Sequence, residues 1–362
     1  MPFQIIRNDI TKVKADAIVN TANPKPCVGS GTDSAIYAAA GQEQLLAARK
    51  KIGEIAPGDA AYTEAYQLDA RYIIHTVGPV WIDGTHGERE VLRSCYARSL
   101  NLAAELHCES IAFPLIASGV YGFPKDEALQ IALSEISRFL MTHEMKVRLV
   151  VFGRKALQLS ERLVGSIEQY IDDHTEQRLY DAEYGGGESS RSRRFLRPRE
   201  ELPEVQAIGT LPCEDDAALE EAEEADAESA PGDFLPDLSG KSLDEVLGGK
   251  SETFQQQLLK LIDESGMTDV AVYKKANIDR KVFSSIRCKP DYKPKKKTAL
   301  AFAIALELDL PTTRDLLSRA ELAFSPSSRF DLIVSYFITN KKYDIFAINA
   351  ALFQYGQPTL GE

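Results

Sequence analysis

Two asparagines and an aspartate, Asn20, Asn23 and Asp33, share one short stretch with the glycines of Gly29-Ser30-Gly31. Amides and a carboxylate in one loop can bind sugar hydroxyls, and a carboxylate can also take a proton from a water held beside it. The stretch follows the apolar run Ala17-Ile18-Val19 and precedes Ser34-Ala35-Ile36-Tyr37-Ala38-Ala39-Ala40, a good helix former. A glycine-rich turn between a buried strand and a helix lets backbone N–H groups reach a phosphate, and the helix N-terminus adds its positive dipole end. A second stretch is built the same way. Ile111-Ala112-Phe113-Pro114-Leu115-Ile116 reads as a strand, Ala117-Ser118-Gly119-Val120-Tyr121-Gly122-Phe123-Pro124 as a turn, and Lys125-Asp126-Glu127-Ala128 opens an amphipathic helix. Two such loops at the carboxyl ends of parallel strands can clamp a diphosphate from both sides.

The elements that must carry these loops alternate along the first half of the chain. Strands are predicted at Phe3–Arg7, Ala17–Asn20, Arg71–Thr76, Ser110–Leu115 and Arg148–Phe152. Helices are predicted at Thr32–Ala40, Gln42–Lys51, Glu88–Leu106, Asp126–Met141 and Ala156–Asp172. Such alternation implies an α/β fold, a largely parallel sheet with helices on both faces.

With these loops, Asn8-Asp9-Ile10-Thr11 near the start and Tyr72-Ile73-Ile74-His75-Thr76-Val77-Gly78-Pro79 further on, residues 1–174 resemble the macrodomain family, an ADP-ribose-binding α/β fold of three layers with a mixed sheet. The resemblance implies ADP-ribose as ligand and no required cofactor or metal. It implies that Asp9 accepts from the adenine amino group, with Ile10 beside it, and that Phe152 stacks on the adenine. Gly29, Ser30 and Gly31 would face Ser118, Gly119, Val120, Tyr121 and Gly122 across the diphosphate, and Asn20 would also belong to the ligand site. Asn23 and Asp33 would meet the distal ribose and carry any catalysis, Asn23 fixing the sugar and Asp33 orienting or deprotonating a water. Asp33 also suits a helix N-cap, and Phe152 also suits plain core packing. The hydrolytic branch of the family has a Gly-Gly-Gly-Gly-Val-Asp-Gly run and a histidine four residues after its aspartate; here the run is Val28-Gly29-Ser30-Gly31-Thr32-Asp33-Ser34 and the later residue is Tyr37. Two readings stand: hydrolysis of mono-ADP-ribosyl linkages or O-acetyl-ADP-ribose, or non-catalytic sensing of ADP-ribose by a nucleic-acid-binding regulator.

The remainder of the chain changes character. Residues 175–241 read as a flexible linker, basic and glycine-rich at Tyr184–Arg194, then acidic, with nine carboxylates and no basic residue from Glu214 to Glu228. Residues 242–362 read as helical, with Asn277 in a left-handed turn between two short helices. Their order resembles the lambda-repressor-like helix-turn-helix domain, with further helices at the end. Lys274–Lys297 holds ten basic and two acidic residues in a chain whose net charge is −12. Arg280, Lys281, Ser284, Ser285 and Arg287 would then contact DNA or RNA. Tyr273 departs from the small residue usual where those two helices approach. The five cysteines form no C-x-x-C pair, and neither a basic-then-apolar leader nor a bilayer-length apolar run is present; the expectation is a soluble, cytoplasmic chain with reduced thiols.

Overall fold

A computed structural model describes residues 2–153, 159–184 and 252–361. Six strands form one sheet: β1 (Phe3–Arg7), β2 (Ala17–Thr21), β3 (Ala60–Glu64), β4 (Tyr72–Thr76), β5 (Ser110–Pro114) and β6 (Lys146–Val151). They lie in the order β1-β6-β5-β2-β4-β3, all parallel except β3, which runs antiparallel to β4 at the far edge. Strand β3 is absent from the predicted set. Its sequence, Ala-Ala-Tyr-Thr-Glu, has little apolar pattern, because four of its five residues are half-buried or exposed on an edge.

Helices α1 (Thr32–Ala40) and α2 (Gln42–Ile52) cross from β2 to β3; α3 (Glu88–Glu105), α4 (Lys125–Thr142) and α5 (Glu161–Tyr184) follow β4, β5 and β6. Strand alternation decides which face each side chain enters. Ala17, Val19, Ile74, Ile111, Phe113, Val147 and Leu149 belong to the core on the α3–α4 face. Ile18, Ile73, Ala112 and Val150 belong to a separate core with Ile36, Tyr37 and Leu45 of α1 and α2. Asn20 and His75 continue the Ile18 and Ile73 series and are direct partners across β2 and β4, so both enter the α1 side.

Among the described residues seven further helices follow: α6 (Phe254–Ser265), α7 (Asp269–Lys275), α8 (Arg280–Cys288), α9 (Lys296–Ala305), α10 (Leu310–Ser318), α11 (Arg329–Thr339) and α12 (Ile345–Gln354). Side chains cap their starts: Thr253 makes a capping box with Gln256, and Thr268, Asp279, Asp309, Ser328 and Asp344 each cap a helix. Asn277 takes the expected left-handed conformation, φ 54°. Helix α9, apolar on every side, is buried from Thr298 to Ala305.

These helices and the sheet domain form one compact unit, residues 1–175 with 251–362. The core of the α3–α4 face runs without a break into that of the helices. At the junction, Phe3 N donates to Asn277 Oδ1 (2.9 Å) and Asn277 Nδ2 donates to Phe3 O (3.0 Å). Both backbone groups of one residue on the outer side of edge strand β1 are thereby paired by a side chain. The Tyr273 hydroxyl donates to Glu144 Oε1 (3.0 Å), and Lys274 Nζ donates to Met141 O (3.3 Å), both at the end of α4. The large residue where a helix-turn-helix has a small one thus serves a contact with the sheet domain. The predicted acidic run and the Gly185–Arg194 stretch lie outside the described residues.

Candidate functional site

The site begins with a hydrogen-bonded chain inside the α1 face. His75 is fully buried, and loss of hydration, reinforced by the Arg49 charge, pushes its pKa down to about 3. It is therefore the neutral imidazole. Asn20 Nδ2 lies 3.2 Å from His75 Nδ1 and donates to Asp33 Oδ1 at 2.6 Å. With Nδ1 the acceptor, Nε2 carries the proton and donates to Thr63 Oγ1 at 3.0 Å. Asn20 cannot be turned over, because its amide oxygen would then face the Asp33 carboxylate. Its Oδ1 is buried without a partner among the described residues.

Asp33 receives a second donor from the glycine loop, Gly29 N to Oδ2 at 2.5 Å. The carboxylate is not the N-cap of α1: that position is Gly31, at φ 63° with no side-chain cap, and Asp33 lies two residues inside the helix. Physically, the side chain is drawn back into the core by Asn20 and closes the loop by its bond to Gly29. Burial raises the Asp33 pKa above the usual 3.8, opposed by the Gly29 and Asn20 donors and by Arg49. Gly29 needs to be glycine for space: a Cβ would stand 2.6 Å from Asn23 Nδ2 and 3.0 Å from Asp33 Oδ2.

Asn23 is fixed through its backbone. The buried Arg49 guanidinium donates from Nη2 to Asn23 O and Pro24 O, each at 3.1 Å, and from Nη1 to Gly53 O. Sequence reading missed Arg49, which sits unremarkably in the basic end of α2. The Asn23 side chain meets the second loop, where the Tyr121 hydroxyl donates to Asn23 Oδ1 at 3.4 Å. That loop is pinned at its base: Ile116 N donates to the Tyr96 hydroxyl, Ser118 Oγ to Leu115 O, and Gly122 N to Gly119 O. Among the described residues, the N–H groups of Ser30, Gly31, Gly119, Val120 and Tyr121 have no protein acceptor. Two facing loops of unpaired N–H donors can take an anion between them.

Asp9 and Phe152 flank the site on the neighbouring strands, as the sheet order requires. Asp9 follows β1 and caps the 3-10 turn Ile10–Lys12 through Thr11 N (3.0 Å) and Thr11 Oγ1 (2.8 Å), bonds that lower its pKa. Phe152 follows β6 and is 79% exposed, so it is no core residue. Ile10 is buried in the α1-side core.

His86, unpartnered in the sequence, joins Asp83 and Glu88 in the loop after β4. Glu88 Oε1 accepts from the N–H groups of Ile82, Asp83 and Gly84 at 3.2, 3.3 and 3.1 Å, and Oε2 from His86 N at 2.7 Å. Asp83 Oδ1 accepts from Thr85 N and Oγ1 and pairs with His86 Nδ1. The three side chains fasten the loop to the start of α3.

In the helices, Arg280, Lys281 and Ser284 are exposed at the start of α8 and Ser285 is half-buried. Arg287 is ion-paired with Asp269. Four more of the ten basic residues have acidic partners: Lys274 with Glu144, Lys275 with Glu307, Lys293 with Glu321 and Lys296 with Asp331. Among the described residues no helix is long and apolar enough to cross a membrane.

The first part of the chain has known relatives. The Macro domain family profile matches residues 19–132. A macro domain-containing protein of Chlorobaculum tepidum is 47% identical over 147 residues, 41% of this chain and 84% of that protein. An O-acetyl-ADP-ribose deacetylase of Citrobacter rodentium is 43% identical over 167 residues, 45% of this chain and 94% of that protein. A solved structure of a variant Oceanobacillus iheyensis macrodomain with ADPR covers 42% of this chain and 87% of its own, at 37% identity and a TM-score of 0.41. With relatives matched over most of their length, this chain belongs to the macro domain family.

Proposed function

We propose that the chain binds ADP-ribose across its two glycine loops and hydrolyses an ester or glycosidic bond on the distal ribose. The observation that carries this reading is the junction of the anion-binding loops with Asn23 and the Gly29–Asp33–Asn20 chain. In this reading the adenine lies on Phe152 with its amino group toward Asp9, and the diphosphate takes the free N–H groups of both loops. Asn23, held by Arg49 and Tyr121, orients the ribose. Asp33, its pKa raised by burial, accepts a proton from the attacking water or from a ribose hydroxyl. Each Asp33 oxygen accepts one protein donor and keeps a further lone pair for that purpose. Homologues named O-acetyl-ADP-ribose deacetylase support a hydrolase.

The test is calorimetric titration of ADP-ribose into the full-length chain, wild type and Gly119→Glu, followed by an ester-hydrolysis assay with Asp33→Asn. Nothing lies within 4 Å of a Cβ built on Gly119, so the variant blocks the loop without disturbing the fold. Saturable binding lost in Gly119→Glu, with turnover lost in Asp33→Asn, is the expected result. Binding that survives Gly119→Glu places the ligand elsewhere and defeats the reading.

A second reading rests on the exposed Arg280, Lys281 and Ser284 at the start of α8: recognition of nucleic acid, with the sheet domain as sensor. A gel shift at low salt, with and without ADP-ribose, decides it; no shift at low salt ends it.

A further inference from the structure

Thr63, His75, Asn20 and Asp33 are 5%, 0%, 0% and 2% exposed, four polar side chains in a place where apolar ones would pack as well. Thr63 pairs with Ile73 across β3 and β4, and His75 with Asn20 across β4 and β2, so both pairs enter the α1 side of the sheet. Burying a hydroxyl, an imidazole and an amide there is unfavourable unless each finds a partner. The partners form a single file. Thr63 Oγ1 lies 3.0 Å from His75 Nε2, His75 Nδ1 lies 3.2 Å from Asn20 Nδ2, and Asn20 Nδ2 lies 2.6 Å from Asp33 Oδ1.

With Asp33 ionised, a single assignment of hydrogens sets a donor against an acceptor at all three contacts. Asn20 gives its NH2 group to Asp33, His75 Nδ1 is then bare, and Nε2 carries the proton and needs an acceptor. Thr63 Oγ1 is that acceptor. Without it the Nε2–H is buried and unpaired, and the tautomer with its proton on Nδ1 takes over. The Asn20 amide must then turn its oxygen toward Nδ1, which sets that oxygen or a bare side of the amide against Asp33 Oδ1. Two acceptors that close tolerate each other only once the carboxyl is protonated. Thr63 thus reaches Asp33 through two intervening side chains.

We propose that Thr63 is a positioning residue of the site: it fixes the His75 tautomer, His75 fixes the Asn20 amide, and the amide holds the Asp33 carboxylate ready to take a proton from water. This rests on the reading that Asp33 is the proton acceptor in hydrolysis. Arg49 of α2, Tyr37 of α1 and Tyr121 of the second loop also act on Asp33 or feel its charge, and a change at Thr63 alters none of them.

The test uses the full-length chain as wild type, Thr63→Val and Thr63→Ser, with isotope-labelled histidine and aspartate for NMR. The His75 and Asp33 signals are assigned by their loss in His75→Gln and Asp33→Asn. Wild type is expected to carry the His75 proton on Nε2. Thr63→Val keeps the branched shape and the strand preference and removes only the hydroxyl. It is expected to move the proton to Nδ1 and to raise the proton affinity of Asp33 at least about ten-fold. The rising limb of kcat for O-acetyl-ADP-ribose is expected to move to higher pH by the same factor, with KM unchanged. Thr63→Ser, which restores the hydroxyl, is expected to restore both spectrum and profile. A His75 proton on Nδ1 in wild type, an unmoved tautomer or Asp33 titration in Thr63→Val, or a Thr63→Ser that behaves as Val overturns the role. If wild type turns over no ester, the hydrolase reading falls, and the two NMR signals still decide whether Thr63 sets Asp33.

Discussion

Gly29 shows how closely the site is built at the level of single atoms. Its backbone angle is ordinary, but the space a methyl group needs is taken by the Asn23 amide and the Asp33 carboxylate. Gly29→Ala is expected to push Asn23 outward and weaken ADP-ribose at least about ten-fold, roughly 1.4 kcal/mol, with the melting temperature little changed; unchanged affinity by calorimetry refutes the close fit. His75 gives a prediction in pH. Its folded pKa of about 3 lies below the unfolded value of 6.5, so the folded state binds fewer protons between them. The stability it contributes is complete above pH 6.5 and is lost as pH falls toward 3, on the order of 2 kcal/mol by pH 5. His75→Gln removes this loss, so urea unfolding at pH 7.5 and pH 5 is expected to separate wild type from variant by that amount. For Asp33 the direction is reversed: its raised pKa puts the rising limb of any pH–rate profile above the usual carboxylate value of 3.8.

At the scale of elements, the most consequential contact is the one Asn277 makes with edge strand β1. A left-handed asparagine ending a short helix was legible in the sequence, because few other residues take that turn cheaply. That its amide pairs with Phe3, 274 positions away, was not, since nothing local to either residue encodes a side chain acting as a neighbouring strand. Tyr273 was legible as an anomaly, and its reason, the Glu144 carboxylate, also lies far off, 129 positions away in the chain. The glycine loops and their flanking strands were readable because strand, turn and helix signals are all local. Arg49 and the His75–Thr63 contact were not, because they join elements that meet only through the sheet order. Asn277→Ala leaves the Phe3 N–H and C=O buried and unpaired, and is expected to cost about 2–4 kcal/mol in urea unfolding at unchanged secondary structure. Asn277→Asp, which sets a buried carboxylate oxygen against the Phe3 carbonyl oxygen, is expected to cost at least as much as Ala at neutral pH.

At the scale of the whole molecule, residues 1–175 and 251–362 form one compact unit with a shared core. The core of the α3–α4 face is continuous with that of α6–α12, and the junction is fixed by Asn277, by the Phe3–Phe346 ring pair at 5.0 Å and by Arg7 over Phe353 at 5.2 Å. Of the local charge that suggested a nucleic-acid surface, half of the ten basic residues are paired with acids distant in sequence, most of them at the surface. Strand β1 touches both parts: its outer edge is held by Asn277, and its end leads directly into Asn8, Asp9 and Ile10. A ligand that binds only the folded form stabilises whatever unfolds together with its site, by about 2.7 kcal/mol at one hundred times its dissociation constant. If the cores are one, ADP-ribose raises protection against hydrogen exchange in the slowest amides of α9 and α12 as much as in β2 and β5. If they are two, the gain stops at the sheet domain and the helical amides exchange at their old rate. A single urea transition that shifts as a whole with ADP-ribose is the expected companion result, and two separable transitions, with only one responding, is the outcome that divides the molecule.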